Sequence, residues 1–298
     1  MSGRCYVFTD ADLDGVGSFM VSRWLKGITS FTTTTHKHFR EDFVRWLSSN
    51  KLSDYEKVYI FDINVAEHFD LLDHPNVNVI DHHNGKDGYV NYKKATLVLD
   101  QDFSSTTKLV LKTFLREDPS LSSKLTHQIA KFVNLVDDYD SYKLALPDSI
   151  GLNIVLWSYT GNRVTKFLEE FSLGFNGFST FHKNMIAIAK KKVDEAVNTS
   201  DVFTVTLPVD GTKRKVVCIQ CDHNINEVAS SLIKIHNADI CLVVNLKSKV
   251  VSLRKSTRCD VNLSKLAEKL CDGGGHFDSA GGVINEKFLK FSKLFTKI

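Results

Sequence analysis

Three aspartates stand at alternate positions near the start of the chain: Asp10, Asp12 and Asp14 in TDADLDGVGS, directly after the apolar run Cys5-Tyr6-Val7-Phe8. In an extended segment residues i, i+2 and i+4 point the same way. Three carboxylates on one face repel one another unless a cation neutralises them. A turn would need only one such residue. The D-x-D-x-D-G spelling also opens an EF-hand loop, but that loop needs a Glu at its twelfth position, which here is Val21, and a helix in front, where this chain reads as strand. The chemistry these residues point to is binding of a divalent metal.

Two more strand ends carry the same kind of residue: Asp62 in YIFDIN, and Asp81, His82 and His83 in VIDHHN. A single strand-end Asp is ordinarily a cap or turn residue, so the signal is the coincidence of three. In open α/β sheets sites collect outside the carboxyl ends of the strands. Mixed Asp and His ligands suit Mn²⁺, Fe²⁺ or Zn²⁺. Several carboxylates with one or two His can hold two ions ~3.5–4 Å apart, the spacing used in two-metal phosphate hydrolysis. Asp62, between the other clusters in sequence, is the candidate bridging ligand. VDDYDSY adds Asp137, Asp138 and Asp140 at the end of an apolar helix. The macrodipole disfavours acids there, so they call for a compensating cation.

A different cluster lies far downstream. Five of the ten residues in GGGHFDSAGG, 273–282, are glycine. No Gly-Lys-Ser/Thr follows, so it is not a Walker A loop. Glycine runs let backbone N–H groups form an anion-binding concavity, to which His276 adds a donor. Arg254 in VSLRKS sits on a neighbouring expected strand and suits phosphate geometry.

The elements needed to position these residues are legible in outline. Residues 4–9, 57–62 and 76–81 read as short apolar strands, and 17–27, 39–49 and 65–72 as helices between or after them, with an apolar stripe at Phe19, Met20 and Trp24. The short run Thr32 to Thr35 is a strand or loop. Such alternation implies a mostly parallel sheet with helices on both faces. Helical segments run from about residue 104 to about 198. The pattern then changes to a β-hairpin around Asp210-Gly211, a helix, two strands and a helix entering the glycine loop. The fold class is therefore α/β, with an N-terminal domain over 1–180, a helical linker over 181–199 and a smaller α/β domain over 200–298.

Bulk properties set bounds. The 298 residues are 43% hydrophobic and 24% charged, an ordinary globular composition. No apolar window is long enough for a membrane span, and MSGRCYVFTDAD does not read as a secretory signal, so a cytoplasmic protein is the expectation. The six scattered cysteines point to reduced thiols, and the lone Cys218/Cys221 pair lacks two further zinc ligands at short spacing. Net charge is +3, with 15 basic and 10 acidic residues in 200–298 against 23 and 25 in 1–199. That small asymmetry would place metals on one side and an anionic substrate on the other, and is no argument for nucleic acid by itself.

Taken in order, D-x-D-x-D-G, a strand-end Asp, D-H-H, an Asp cluster and G-G-G-H resemble the DHH phosphoesterase superfamily, in particular members with a C-terminal DHHA1 domain. That group includes RecJ-type exonucleases, small oligoribonucleases that also act on 3′-phosphoadenosine 5′-phosphate, and cyclic-dinucleotide phosphodiesterases. The resemblance covers nearly the whole chain. It implies metal binding by Asp12, Asp14, Asp62, His82 and Asp138, with His83 facing the substrate phosphate and Asp81 orienting these groups. Asp138 is chosen over Asp137 and Asp140 by its spacing to Tyr142. Gly273, Gly274, Gly275, His276 and Arg254 match the substrate-binding residues of the second domain. One departure is that many small members have a His where this chain has Phe8. Asp10, two residues before Asp12, is then an added candidate metal ligand.

The function this implies is hydrolysis of short oligonucleotides or small nucleotides with two Mn²⁺ ions, or Mg²⁺, as cofactor, by an enzyme that is often a homodimer among small relatives and has no membrane partner. The alternatives are a cyclic-dinucleotide phosphodiesterase, a single-strand exonuclease on longer nucleic acid, a pyrophosphatase or polyphosphatase (against which the GGGH loop argues), and a nucleic-acid-binding protein with an inactive site.

Overall fold

The computed structural model describes residues 3–83, 86–209, 211–275 and 277–298. Its contacts divide the chain into two units, Met1–His182 and Lys183–Ile298.

The first unit opens with strand β1 (Cys5–Asp10), helix α1 (Leu13–Lys26), β2 (Phe31–Thr34), α2 (Phe39–Leu47), β3 (Lys57–Phe61), a single helical turn α3 (Phe69–Leu72), β4 (Val77–Asp81) and β5 (Thr96–Leu99). The strands form one five-stranded sheet in the order β2-β1-β3-β4-β5, parallel throughout. Helices α4 (Thr106–Glu117), α5 (His127–Asp140), α6 (Ser149–Ser158) and α7 (Arg163–Glu170) follow. Period-two alternation gives the sheet two apolar faces. On one, Phe8, Val58, Ile60, Val77 and Val79 pack with Phe39 and Phe43 of α2. On the other, the rings of Tyr59 and Phe61 meet Phe114 of α4. All five strands point their carboxyl ends to one edge, and that edge carries the acids.

Around α1 the structure departs from the expected alternation. Strand β1 stops at Asp10, Asp12 is the helix N-cap, and Asp14 lies in the first helical turn. The three aspartates therefore do not share one extended face. The Asp12 side chain accepts the N–H of Gly15, the usual preference of Asp at this position. The turn is tight enough that a Cβ on Gly15 would stand 2.3 Å from the carbonyl oxygen of Asp10. The expected helix over 65–72 is a 3-10 turn, Ala66–His68, followed by α3. Strand β5 is additional to the strands read from the sequence.

Helix α8 (Thr180–Thr199) carries the chain into the second unit, where its Val193 is buried with Val228, Ala229 and Leu232. That unit contains β6 (Val202–Val209), β7 (Thr212–Gln220), α9 (Ile225–His236), β8 (Ile240–Asn245), β9 (Val250–Lys255), α10 (Leu263–Cys271), β10 (Gly274–Gly275), β11 (Ser279–Val283), α11 (Glu286–Ser292) and β12 (Thr296–Lys297). Its sheet runs β10-β11-β9-β8-β7-β6-β12, with β7 and β8 parallel and the other pairs antiparallel. All six cysteines are free. Cys218 packs in the core on one face of the sheet and Cys221 in the core on the other, so the CxxC pair does not converge on an ion. Among the described residues no helix is long and apolar enough to cross a membrane.

Candidate metal centre

The carboxyl ends of β1, β3 and β4 bring their polar residues together, and α5 adds one more. Among the described residues two groups have donor atoms that all lie within 4.8 Å of one another: Asp62, His82 and His83, and Asp14, His82 and Asp140. His82 belongs to both. Its Nε2 stands 3.3 Å from Asp140 Oδ2, 3.7 Å from Asp14 Oδ2 and 3.8 Å from Asp62 Oδ1. Its Nδ1 is 3.2 Å from the carbonyl of Phe103. Donation to that carbonyl puts the proton on Nδ1 and aims the Nε2 lone pair at the acids, the arrangement common for a ligating His.

Asp62 follows β3 with φ of +60°, the left-handed region that costs a non-glycine residue about 1–3 kcal/mol. The conformation turns its carboxylate toward the cluster. There Oδ1 accepts from Thr106 Oγ1 at 2.9 Å. Asp14 is held by the N-terminus of α4, its two oxygens accepting the N–H groups of Thr106 and Thr107 at 2.6 and 2.8 Å. A carboxylate suits that end of a helix. The Ser-Thr-Thr stretch that opens α4 thus anchors two acids, a role no sequence motif marked. His83 Nδ1 lies 2.6 Å from Asp81 Oδ1 and 3.5 Å from Asp62 Oδ1.

The electrostatics are those of acids crowded beyond what the protein alone can neutralise. Burial, then the neighbouring Asp12, pushes Asp10 up to about 7. Burial and then Asp14 likewise raise Asp12, Asp62 and Asp140. Asp81 behaves oppositely. Burial would raise it, but its hydrogen bond to His83 holds it below the ordinary carboxylate range. The same contact, against burial, keeps the His83 imidazolium charged to higher pH. Asp81 Oδ2 is buried with no hydrogen-bond partner among the described residues. Oxygen-rich donors, an imidazole with a directed lone pair and acids raised by mutual repulsion fit a divalent cation.

Of the expected ligands, Asp14, Asp62 and His82 converge. Asp12 joins them less directly: after burial and Asp14, its charge helps raise the carboxyl group of Asp62. Asp10 stays at the end of β1, its Oδ1 accepting the N–H of Asp12 at 3.1 Å. Asp138 does not face the cluster. Its two oxygens accept the N–H groups of Ala145 and Leu146 at 2.9 and 3.0 Å. They tie down a loop in which Tyr142 and Leu144 have positive φ. Asp137 is paired with Lys108 at 2.8 Å and with Ser104 and Ser105. Asp140, rather than Asp138, stands in the donor group with Asp14 and His82. The two neighbours should therefore separate by experiment. Asp138→Ala is expected to cost about 1–3 kcal/mol of stability by removing the charged acceptor of the Ala145 and Leu146 N–H groups, with Mn²⁺ affinity within a few-fold of wild type. Asp140→Asn should lower Mn²⁺ affinity by about tenfold or more with the fold retained. Thermal unfolding and calorimetric Mn²⁺ titration of both variants provide the check.

A model of the DHH family N-terminal domain matches residues 4–135, the span that carries β1 to β5 and the acids and histidines at their ends. This chain carries a DHH domain. No curated protein sequence matches the chain. Solved structures extend the likeness of fold beyond the DHH domain. The pGpG-specific phosphodiesterase PggH from Vibrio cholerae superposes with a TM-score of 0.59 at 12% identity, covering 97% of this chain and 96% of its own. An exopolyphosphatase-related protein from Bacteroides fragilis gives 0.57 at 14%, covering 98% and 91%. Exonuclease RecJ bound to manganese gives 0.51 at 15%, covering 97% and 88%.

In the second unit, β11 lies between the strand of Arg254 and the strand of Gly274 and Gly275. Arg254 pairs in register with Ser279 of β11, and β11 pairs with β10 through Ala280 and Gly275. Arg254 Nε donates to Asn226 at 2.8 Å, and Nη1 donates to the carbonyls of Leu253 and Ala280. Gly273 is required by packing, since a Cβ there would stand 1.9 Å from the carbonyl oxygen of Gly281. Gly274 and Gly275 are engaged as β10. His276 lies outside the described residues.

Proposed function

We propose that this DHH protein is a Mn²⁺-dependent phosphoric ester hydrolase acting on short oligonucleotides or small nucleotides. The observation that carries the reading is the convergence of Asp14, Asp62, His82, His83 and Asp140 at the carboxyl edge of the parallel sheet. Asp12, Asp14, Asp62, His82 and Asp140 would hold the ions, with Asp10 close by. Bound divalent ions supply Lewis acidity toward a phosphoryl oxygen and an activated water at neutral pH. The protein's own groups do the rest. Asp62 presents a carboxylate beside His82, the residue that the two donor groups share. Asp81 fixes the ring of His83 and favours its charged form, so that His83 can donate to a phosphate oxygen as negative charge develops there. The second unit, as a DHHA1 domain, would contribute nucleotide binding through Arg254, the backbone around Gly273, Gly274 and Gly275, and His276.

A fold shared with a pGpG-specific phosphodiesterase supports a dinucleotide-sized substrate. The fold shared with RecJ bound to manganese supports Mn²⁺ and is the observation behind a second reading, exonuclease action on longer strands. A panel separates them: an RNA dinucleotide, RNA and DNA five-mers, a long single strand, 3′-phosphoadenosine 5′-phosphate, a cyclic dinucleotide and pyrophosphate, each with Mn²⁺. The expected result is fastest turnover of the short linear nucleotides. Turnover confined to the long strand, the cyclic substrate or pyrophosphate would replace this reading with the corresponding alternative.

A further inference from the structure

Arg163 and Trp157 belong to no motif, yet they border the acidic centre. Arg163 is the first residue of α7, where the helix dipole disfavours a cation. Contacts outside the helix hold it there. Its Nη2 donates at 2.8 Å to the carbonyl of Ala11, the residue between Asp10 and Asp12, and those two acids attract its charge. The guanidinium also lies 3.6 Å from the ring centroid of Trp157, near the end of α6. Among the described residues the guanidinium makes no other hydrogen bond, so most of its N–H donors lack a protein acceptor. Trp157 is 52% exposed, although Leu152, Ile154, Val155 and Leu156 on the same helix are buried. An exposed indole stacked with a guanidinium is the surface on which nucleobases stack.

We propose that Trp157 and Arg163 form a base-stacking subsite beside the metal centre. It takes one nucleobase of the substrate on the Trp157 ring and an adjacent phosphate oxygen on the donors of Arg163. This rests on the phosphoesterase reading and narrows it: the preferred substrates carry a base next to the scissile phosphate. A purely structural Arg163, serving to hold Ala11 and neutralise Asp10 and Asp12, would need no exposed indole and would be indifferent to the base.

The test compares wild type, Trp157→Ala and Trp157→Phe in two measurements. In the first, KM and kcat are determined with Mn²⁺ on an RNA dinucleotide and on its abasic analogue. Trp157→Ala is expected to raise KM for the dinucleotide about tenfold with kcat within about threefold, Trp157→Phe to restore most of the loss, and the abasic analogue to be insensitive to both changes. An unchanged KM in Trp157→Ala, or an equal loss on the abasic analogue, overturns the proposal. In the second, tryptophan fluorescence is titrated with AMP, where turnover plays no part. Quenching in wild type that disappears in Trp157→Phe supports the subsite, and quenching that is absent or survives the substitution overturns it. Should wild type hydrolyse neither dinucleotide nor analogue, the phosphoesterase reading fails and the fluorescence titration alone decides the subsite.

Discussion

Asp62→Asn is expected to lower Mn²⁺-dependent phosphodiester hydrolysis by about 10³-fold or more while leaving the fold intact. Asn is the informative substitution because Asp62 has φ of +60°, and Asn tolerates the left-handed region better than Ala. Asp62→Ala would mix backbone strain with the loss of the carboxylate. The Asn variant keeps the shape of the side chain and an oxygen able to accept from Thr106 Oγ1. It removes the carboxylate charge that Asp62 brings to His82 and His83. Initial rates, with circular dichroism as the control for folding, provide the measurement. Activity within about tenfold of wild type would show that Asp62 does not serve the ions at this centre.

Metal-free protein should lose thermal stability as pH rises from about 5 to about 8, and Mn²⁺ should reverse the loss. Asp10, raised from 3.8 to about 7, keeps a proton in the folded chain over a window in which the unfolded chain has released it. The folded state then binds more protons, and stability falls as pH rises. The raised Asp12, Asp62 and Asp140 act in the same direction. So does His83, whose stabilisation is fully present below its unfolded pKa and is lost as pH rises through its higher folded value. Asp81 acts oppositely, its contribution being lost only as pH falls below the ordinary carboxylate range. A tenfold change in proton affinity corresponds to about 1.4 kcal/mol, so the combined loss is on the order of a few kcal/mol, or roughly 10 °C in Tm. At about pH 8, Mn²⁺ at a hundredfold its Kd should restore about 2.7 kcal/mol. At about pH 5, protons compete for the same carboxylates and the effect should be smaller. Thermal scans across pH with and without Mn²⁺ test this, and a Tm that rises with pH in metal-free protein would contradict it.

These expectations draw on features that are readable in the sequence to different degrees. The parallel sheet is legible because apolar strands of about five residues end in Asp or Asp-His-His, a pattern with few other physical explanations. Strand β5 is not, since TLVL is a short edge strand whose first three residues are not fully buried. Asp14 is misplaced when strand alternation is extended through a helix start. The signals against that extension are Asp12 as an N-cap residue and an acid in the first turn. Asp140 is findable by helical period. It falls four residues after Val136 and seven after Val133, both buried, so it lies on the inward stripe of α5. The anchoring of Asp14 and Asp62 by Thr106 and Thr107, and the approach of Arg163 to Ala11, join residues tens to more than a hundred positions apart. Such contacts exist only once the sheet and helices are assembled.

The most direct measurement is the rate at which protein stripped with EDTA hydrolyses an RNA dinucleotide as Mn²⁺ is returned. A metal centre built from Asp14, Asp62, His82 and Asp140 requires a rate near zero without Mn²⁺ that rises to saturation with it and is abolished again by chelator. Equal hydrolysis with EDTA present throughout would contradict metal-dependent phosphoesterase action at this site.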